Sequence, residues 1–268
     1  MPDPSGSLTR RAVAAAGLVL LVVSRAEAQQ PVADPPATPQ FMPRYDFHLE
    51  AARLNSGDDR FSWDTHFGGE FDLVDYVHGR TTFIADYEAV LGSEFRAFDP
   101  NQGNYTLAAA SSVRIGGTEF VGVLHHVSRH LSDRPKRLAI AWNDLDAVVL
   151  QHLSLDGTTV DIRAGAGKII AQAFVDYAWT ATASVLVRRP VTPRFGVFGR
   201  ASGEAFGIDP ALSARGQQRG GRVEGGIRLS GEGGALELFA GYERTVDADP
   251  YDRLPLQWAF AGFRLVNK

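Results

Sequence analysis

Phe61–Asp75, FSWDTHFGGEFDLVD, carries the pattern that decides the fold. Phe61, Trp63, Thr65, Phe67, Gly69, Phe71 and Leu73 fall on odd positions, and Ser62, Asp64, His66, Gly68, Glu70 and Asp72 lie between them. A period of two sends successive side chains to opposite faces of a strand. Strands of soluble proteins usually end after about 5–6 residues, and this run continues well past that. The same alternation returns in Phe83–Leu91, Val160–Ala166, Trp179–Val187, Val223–Leu229 and Leu236–Tyr242. Twelve such segments are legible, at 46–54, 60–76, 81–91, 104–115, 118–129, 138–150, 158–167, 176–188, 194–205, 220–230, 235–244 and 256–266. No window carries a helical period.

The connections give a second signal. Gaps at Val77–Arg80, Gly116-Gly117, 151–157, Arg189–Pro193 and Gly231–Gly234 are mostly short and turn-like, whereas 92–103, 130–137, 206–219 and 245–255 are longer and polar. Tight turns at one rim, longer loops at the other and an even number of strands of about ten residues predict an antiparallel transmembrane β-barrel of the outer-membrane kind. The polar faces carry both signs of charge (Asp64, Glu70, Asp72, Asp86 and Glu88 against Arg114, Arg163, Arg188, Arg222 and Arg228), which suits an internal network. The apolar faces are rich in Ala, Gly and Val, adequate against lipid and thin for an interlocking core. A soluble secreted β-barrel that binds an apolar ligand is the alternative with the same alternation.

Composition narrows the function. The 268 residues are 44% hydrophobic with a net charge of −4 and no cysteine. That excludes a disulfide scaffold, a cysteine nucleophile and thiolate metal sites, and the slightly acidic balance gives nucleic acid no basic stripe to meet. Arg10-Arg11, the apolar run Ala12–Val23 and Ala26-Glu27-Ala28 read as a secretory signal peptide over residues 1–28; the run is too short for a bilayer-crossing helix. Residues 29–43, with five prolines, read as a disordered linker, and 44–268 as one barrel domain. The expected location is the bacterial outer membrane after export, with outer-membrane lipids and the barrel assembly machinery as partners.

Reactive side chains concentrate in His125-His126-Val127-Ser128-Arg129-His130-Leu131-Ser132-Asp133-Arg134. As a metal site this is weak: His126 and His130 on one strand stand roughly 13 Å apart at about 3.3 Å per residue, and Asp133 lies beyond them. As a hydrolase it has better geometry, because His126 and Ser128 share a face about 7 Å apart along the strand, within reach for a base and a nucleophile. Asp86/Glu88 and Asp144/Asp146 each put two carboxylates on one strand face, a spacing that lumen charges adopt routinely. His48, His66, His78 and His152 are scattered surface or lumen positions.

Two resemblances follow from these residues. His126-x-Ser128 followed by Asn143 on the next strand resembles the outer-membrane phospholipase A family, a twelve-stranded barrel; Arg129 and His130 stand where that family has Asn-Gly. The resemblance implies lipid hydrolysis by His126, Ser128 and Asn143, with calcium as cofactor. Ser128–Arg134, with His126 upstream, is similar to the Ser-Ser-His-Leu-Gly-Asp-Glu motif of a family of bacterial outer-membrane barrel domains of unknown function, and implies architecture and location only. Three valines among the odd residues of the fifth strand (Val121, Val123, Val127) predict that its odd face meets lipid. His126, Ser128 and His130 would then point into the lumen. The sequence therefore favours a non-enzymatic barrel, structural or a narrow channel, over the hydrolase.

Overall fold

The computed structural model describes residues 30–32, 34–132 and 138–267. The expected signal peptide and Asp133 lie outside them. Twelve strands follow in order: β1 Gln40–Asn55, β2 Trp63–Asp75, β3 Arg80–Gly92, β4 Asp99–Ile115, β5 Thr118–Leu131, β6 Ile140–Leu155, β7 Thr158–Ala173, β8 Tyr177–Pro190, β9 Phe195–Ile208, β10 Gln218–Ser230, β11 Gly234–Asp249 and β12 Leu254–Asn267. Each pairs antiparallel with its neighbours, and β1 pairs with β12 to close the ring. No helix occurs among the described residues. This is the twelve-stranded transmembrane barrel the alternation predicts.

The short connections are hairpin turns on one rim. Asp156-Gly157, with φ of 47° and 74°, joins β6 to β7, the paired positive φ of a two-residue turn matched to strand twist. Among the described residues, the other rim carries 56–62, 93–98, 174–176, 209–217 and 250–253. Several strands reach further than their hydrophobic alternation: β4 begins at Asp99, β11 runs to Asp249, and β1 begins at Gln40, inside the stretch read as linker. β1 gains this length through a bulge between Phe41 and Arg44. In a closed ring every backbone edge has a partner, so pairing continues where the lipid pattern has stopped.

Side chains divide cleanly between the two faces. Phe67, Leu107, Leu124, Leu145, Val187 and Leu238 point out and are exposed, forming the apolar belt. Arg80, Glu237 and Arg264 point in and are all but inaccessible. β5 reverses the expectation from its valines. Glu119, Val121 and Val123 are buried in the lumen, and Phe120, Gly122 and Leu124 are exposed outside. The reason is that the lumen is partly apolar: Val121 and Val123 pack with Ile84, Ala108, Ala110, Val148 and Leu150. His126, Ser128 and His130 therefore lie on the membrane face.

Charge networks fill the rest of the interior. Arg264 bonds Glu50 at 2.7 Å and Glu224 and Glu237 at 2.9 Å each, and its guanidinium lies 4.8 Å from the Phe239 ring centre. Arg80 joins Glu70, Asp72 and Glu119, each at 2.9 Å. It also donates to the Gln30 carbonyl, which draws residues 30–32 into the short-turn mouth.

Candidate functional site

The fold brings His126, Ser128 and His130 of β5 beside Asn143 of β6. The strand register sets His126 opposite Asn143 and Ser128 opposite Ala141, while β4 places Leu107 beside His126 and Tyr105 beside Ser128. These polar groups sit in an apolar surround of Leu107, Leu124 and Leu145, the last two 52% and 56% exposed. Polar side chains on a membrane face cost free energy unless they bond to one another, and here they do.

His126 Nδ1 lies 2.7 Å from Asn143 Oδ1. An amide oxygen accepts, so Nδ1 carries the proton and Nε2 keeps its lone pair. Ser128 Oγ lies 2.9 Å from His130 Nε2. The hydroxyl thus bonds the His130 ring, while the His126 ring, oriented by Asn143, belongs to the residue two positions back on the same face. An aromatic row continues sideways at this level: Phe67 to Tyr87 at 5.2 Å, Tyr87 to Tyr105 at 4.9 Å, and Tyr105 edge-on to His130 at 5.5 Å. Such girdles mark the headgroup level of a bilayer, so the cluster sits at the water–lipid boundary near the long-loop rim. Lys168 of β7 is also exposed on the outer face, opposite Leu145 and close to Asn143 in the register.

A histidine, a serine and an amide so placed can supply base, nucleophile and orienting group for acyl transfer. They do not assemble a metal site. His126 and His130 are engaged with different partners, and the described residues whose donor atoms converge are others, all in the lumen: Asp64, His66 and Glu88, and separately His125, Asp144 and Asp146. Calcium asks for about six to eight oxygen ligands, and the outer faces of β4 to β7 present no carboxylate among the described residues. The residues around Ser128 do not fit that ion, and no chemical step is routed through it.

Both carboxylate pairs read from the sequence point into the lumen. Asp86 is held by His48 Nε2 at 2.8 Å and His66 Nδ1 at 3.1 Å. Asp144 accepts from His125 Nδ1 at 3.1 Å. His48 and His66, two of the histidines scattered in the sequence, thus meet in the lumen at Asp86, and His125 turns inward to Asp144.

No protein-family model matches the chain, and no curated protein matches it. Solved structures similar to it are outer-membrane β-barrels. Outer membrane phospholipase A from Escherichia coli aligns with a TM-score of 0.50 at 8% identity over 84% of this chain and 92% of the other. The Salmonella typhi outer membrane phospholipase dimer with bound calcium aligns with a TM-score of 0.51 at 8% identity, over 84% and 90%. An active-site variant of the E. coli protein, an asparagine replaced by alanine, aligns with a TM-score of 0.52 at 8% identity, over 88% and 94%.

Proposed function

We propose that the protein is a lipid hydrolase of the bacterial outer membrane, with Ser128 as nucleophile, His126 as base and Asn143 as the group that orients it. The observation that carries the reading is the Asn143–His126 hydrogen bond beside an outward-facing Ser128. Ser128 Oγ rotates from His130 to His126 Nε2 and attacks the ester carbonyl carbon of a lipid lying against β5. Its proton passes to His126 and then to the departing lysolipid alcohol; a water deprotonated by His126 releases the fatty acid. Lys168 offers a cation for a headgroup phosphate. Barrels similar in fold include a phospholipase with an asparagine among its active-site residues, which supports this assignment.

The test is fatty-acid release from phospholipid by protein refolded in detergent, with and without calcium. Wild type cleaves; Ser128→Ala is inactive while still migrating as a folded, heat-modifiable barrel. His126→Ala loses about 10²- to 10⁴-fold, the usual share of general base catalysis, and His130→Ala less than tenfold. Reversed effects of the two histidine variants would move the base to His130. No cleavage under either condition would return the protein to a non-enzymatic barrel, structural or a narrow channel. Sidedness is checked separately: protease added to intact cells cuts within 209–217 and spares Gly116-Gly117 and 231–233. Cleavage at the tight turns would invert the topology.

A further inference from the structure

Hydrolysis at the membrane face leaves the lumen cluster of Asp64, His66 and Glu88 without a role. The three offer ligand atoms that all lie within 4.8 Å of one another. The register explains the convergence, since His66 stands directly opposite Glu88 and Asp64 is two residues away on the same face. Asp64 and Glu88 are buried, 1% and 7% exposed.

Three details point to an ion rather than to a plain salt bridge. His66 Nε2 is 3.4 Å from Asp64 Oδ1, long for a charge-assisted hydrogen bond. Two ligands bound at about 2.1 Å to one tetrahedral ion stand about 3.4 Å apart. The other ring nitrogen, Nδ1, is 3.1 Å from Asp86 Oδ1, and Asp86 Oδ2 is 2.8 Å from His48 Nε2. A carboxylate behind a histidine, itself held by another group, is how metal-binding imidazoles are oriented.

The third detail is the amide of Asn104, whose oxygen is separate from the acids. Asn104 Nδ2 donates to Glu88 Oε2 at 2.7 Å, while its Oδ1 is buried with no hydrogen-bond partner. Asn104, 5% exposed, lines the same cavity of about 90 Å³ as His66, Asp86, Glu88 and His125. A cavity of that size admits an ion with water, and an orphaned amide oxygen is a competent ligand for it.

We propose that the barrel binds one divalent transition-metal ion in its lumen through Asp64, His66 and Glu88, with Asn104 Oδ1 completing the set. One imidazole nitrogen among oxygens suits Zn²⁺ or Mn²⁺ better than Ca²⁺. The site lies on the opposite side of the barrel wall from Ser128 and does not depend on the hydrolase reading.

The test uses the whole barrel refolded in detergent, stripped with chelator and titrated with Zn²⁺ alone, then with Mn²⁺ and Ca²⁺ alone, reading bound metal by elemental analysis after dialysis. About one equivalent of Zn²⁺ or Mn²⁺ is retained. Glu88→Gln and His66→Ala weaken binding at least a hundredfold, and Asp86→Asn about 10- to 100-fold, as for groups behind a ligand. His130→Ala and Ser128→Ala leave it unchanged, which separates this site from the outer histidines. Should His66→Ala fail to fold, the near-isosteric Glu88→Gln decides alone. Failure to retain Zn²⁺ or Mn²⁺, stronger retention of Ca²⁺, or unchanged affinity in Glu88→Gln overturns the proposal, and His66 is then an ion-pair partner only.

Discussion

Around Arg264, as at Arg80, the buried acids meet guanidinium groups; at Asp86 and Asp144, elsewhere in the lumen, they meet imidazoles. On the first side Glu50, Glu224 and Glu237 converge on Arg264, while Arg222 reaches Glu50 at 2.6 Å and stacks on Phe260 at 4.2 Å. On the second, Asp86 is shared by His48 and His66, and Asp144 bonds His125. Guanidinium never gives up its charge and forks rigidly onto carboxylates, so the Arg264 side is a fixed brace. Imidazole can exchange a proton for a metal, so the histidine side can change its occupant. One part of the lumen holds the shape while another keeps a choice of ligand.

The largest effect expected from this contrast is at Arg264. Arg264→Ala takes one cation from each of three buried carboxylates, which keep Arg222 or Arg228, and should cost about 3 kcal/mol, the low end for a broken buried ion pair, measured by urea unfolding in bilayers. A loss below about 1 kcal/mol would erase the difference between the two sides. The outer face should be next. Val185→Arg places a charge in the apolar belt and should cost roughly 2–4 kcal/mol at mid-membrane; unchanged stability would contradict the face assignment of β8.

On the histidine side a single loss should be milder. His125→Gln removes one bond to Asp144, which keeps Thr180 Oγ1 within 3.5 Å, and a cost of about 1 kcal/mol is expected by the same unfolding measurement. A cost near that of Arg264→Ala would make the two sides alike. The smallest expected effect is Ser128→Ala, within about 1 kcal/mol of wild type, since its hydroxyl bonds one exposed histidine. A larger destabilisation would make Ser128 structural and weaken its role as nucleophile.

Strand number, order and both rims were legible because alternation and turn chemistry are local. Which face met lipid was not, at least for β5. Val121 and Val123 serve equally against lipid and inside a lumen whose central layer is Ile84, Ala108, Val148 and Leu150, so hydrophobicity alone had no vote. His126, Ser128 and Asn143 were readable as a set, but their value depended on that face. The lumen cluster was hidden by register. A bulge between Asp72 and Val74 shifts the β2–β3 pairing by one residue. Counting back from the turn without it sets His66 beside Ala89, on the wrong face, instead of Glu88. Its mark is small: Leu73 and Val74 are consecutive apolar residues, both exposed, between the buried Asp72 and Asp75.

The seam between β1 and β12 has a consequence in time. Its backbone pairing runs from His48↔Val266 to Asn55↔Ala259, and Asn267 extends it with its side chain, Nδ2 donating to the Tyr45 carbonyl at 2.7 Å. The Glu50–Arg264 bond across it joins residues 214 apart in sequence. No smaller part of the strand set closes the ring, and contacts of such separation form slowly. Until they form, the chain is an open sheet with two unsatisfied edges. Bonds across this seam therefore govern how long the open state lasts, as well as how firmly the closed one holds.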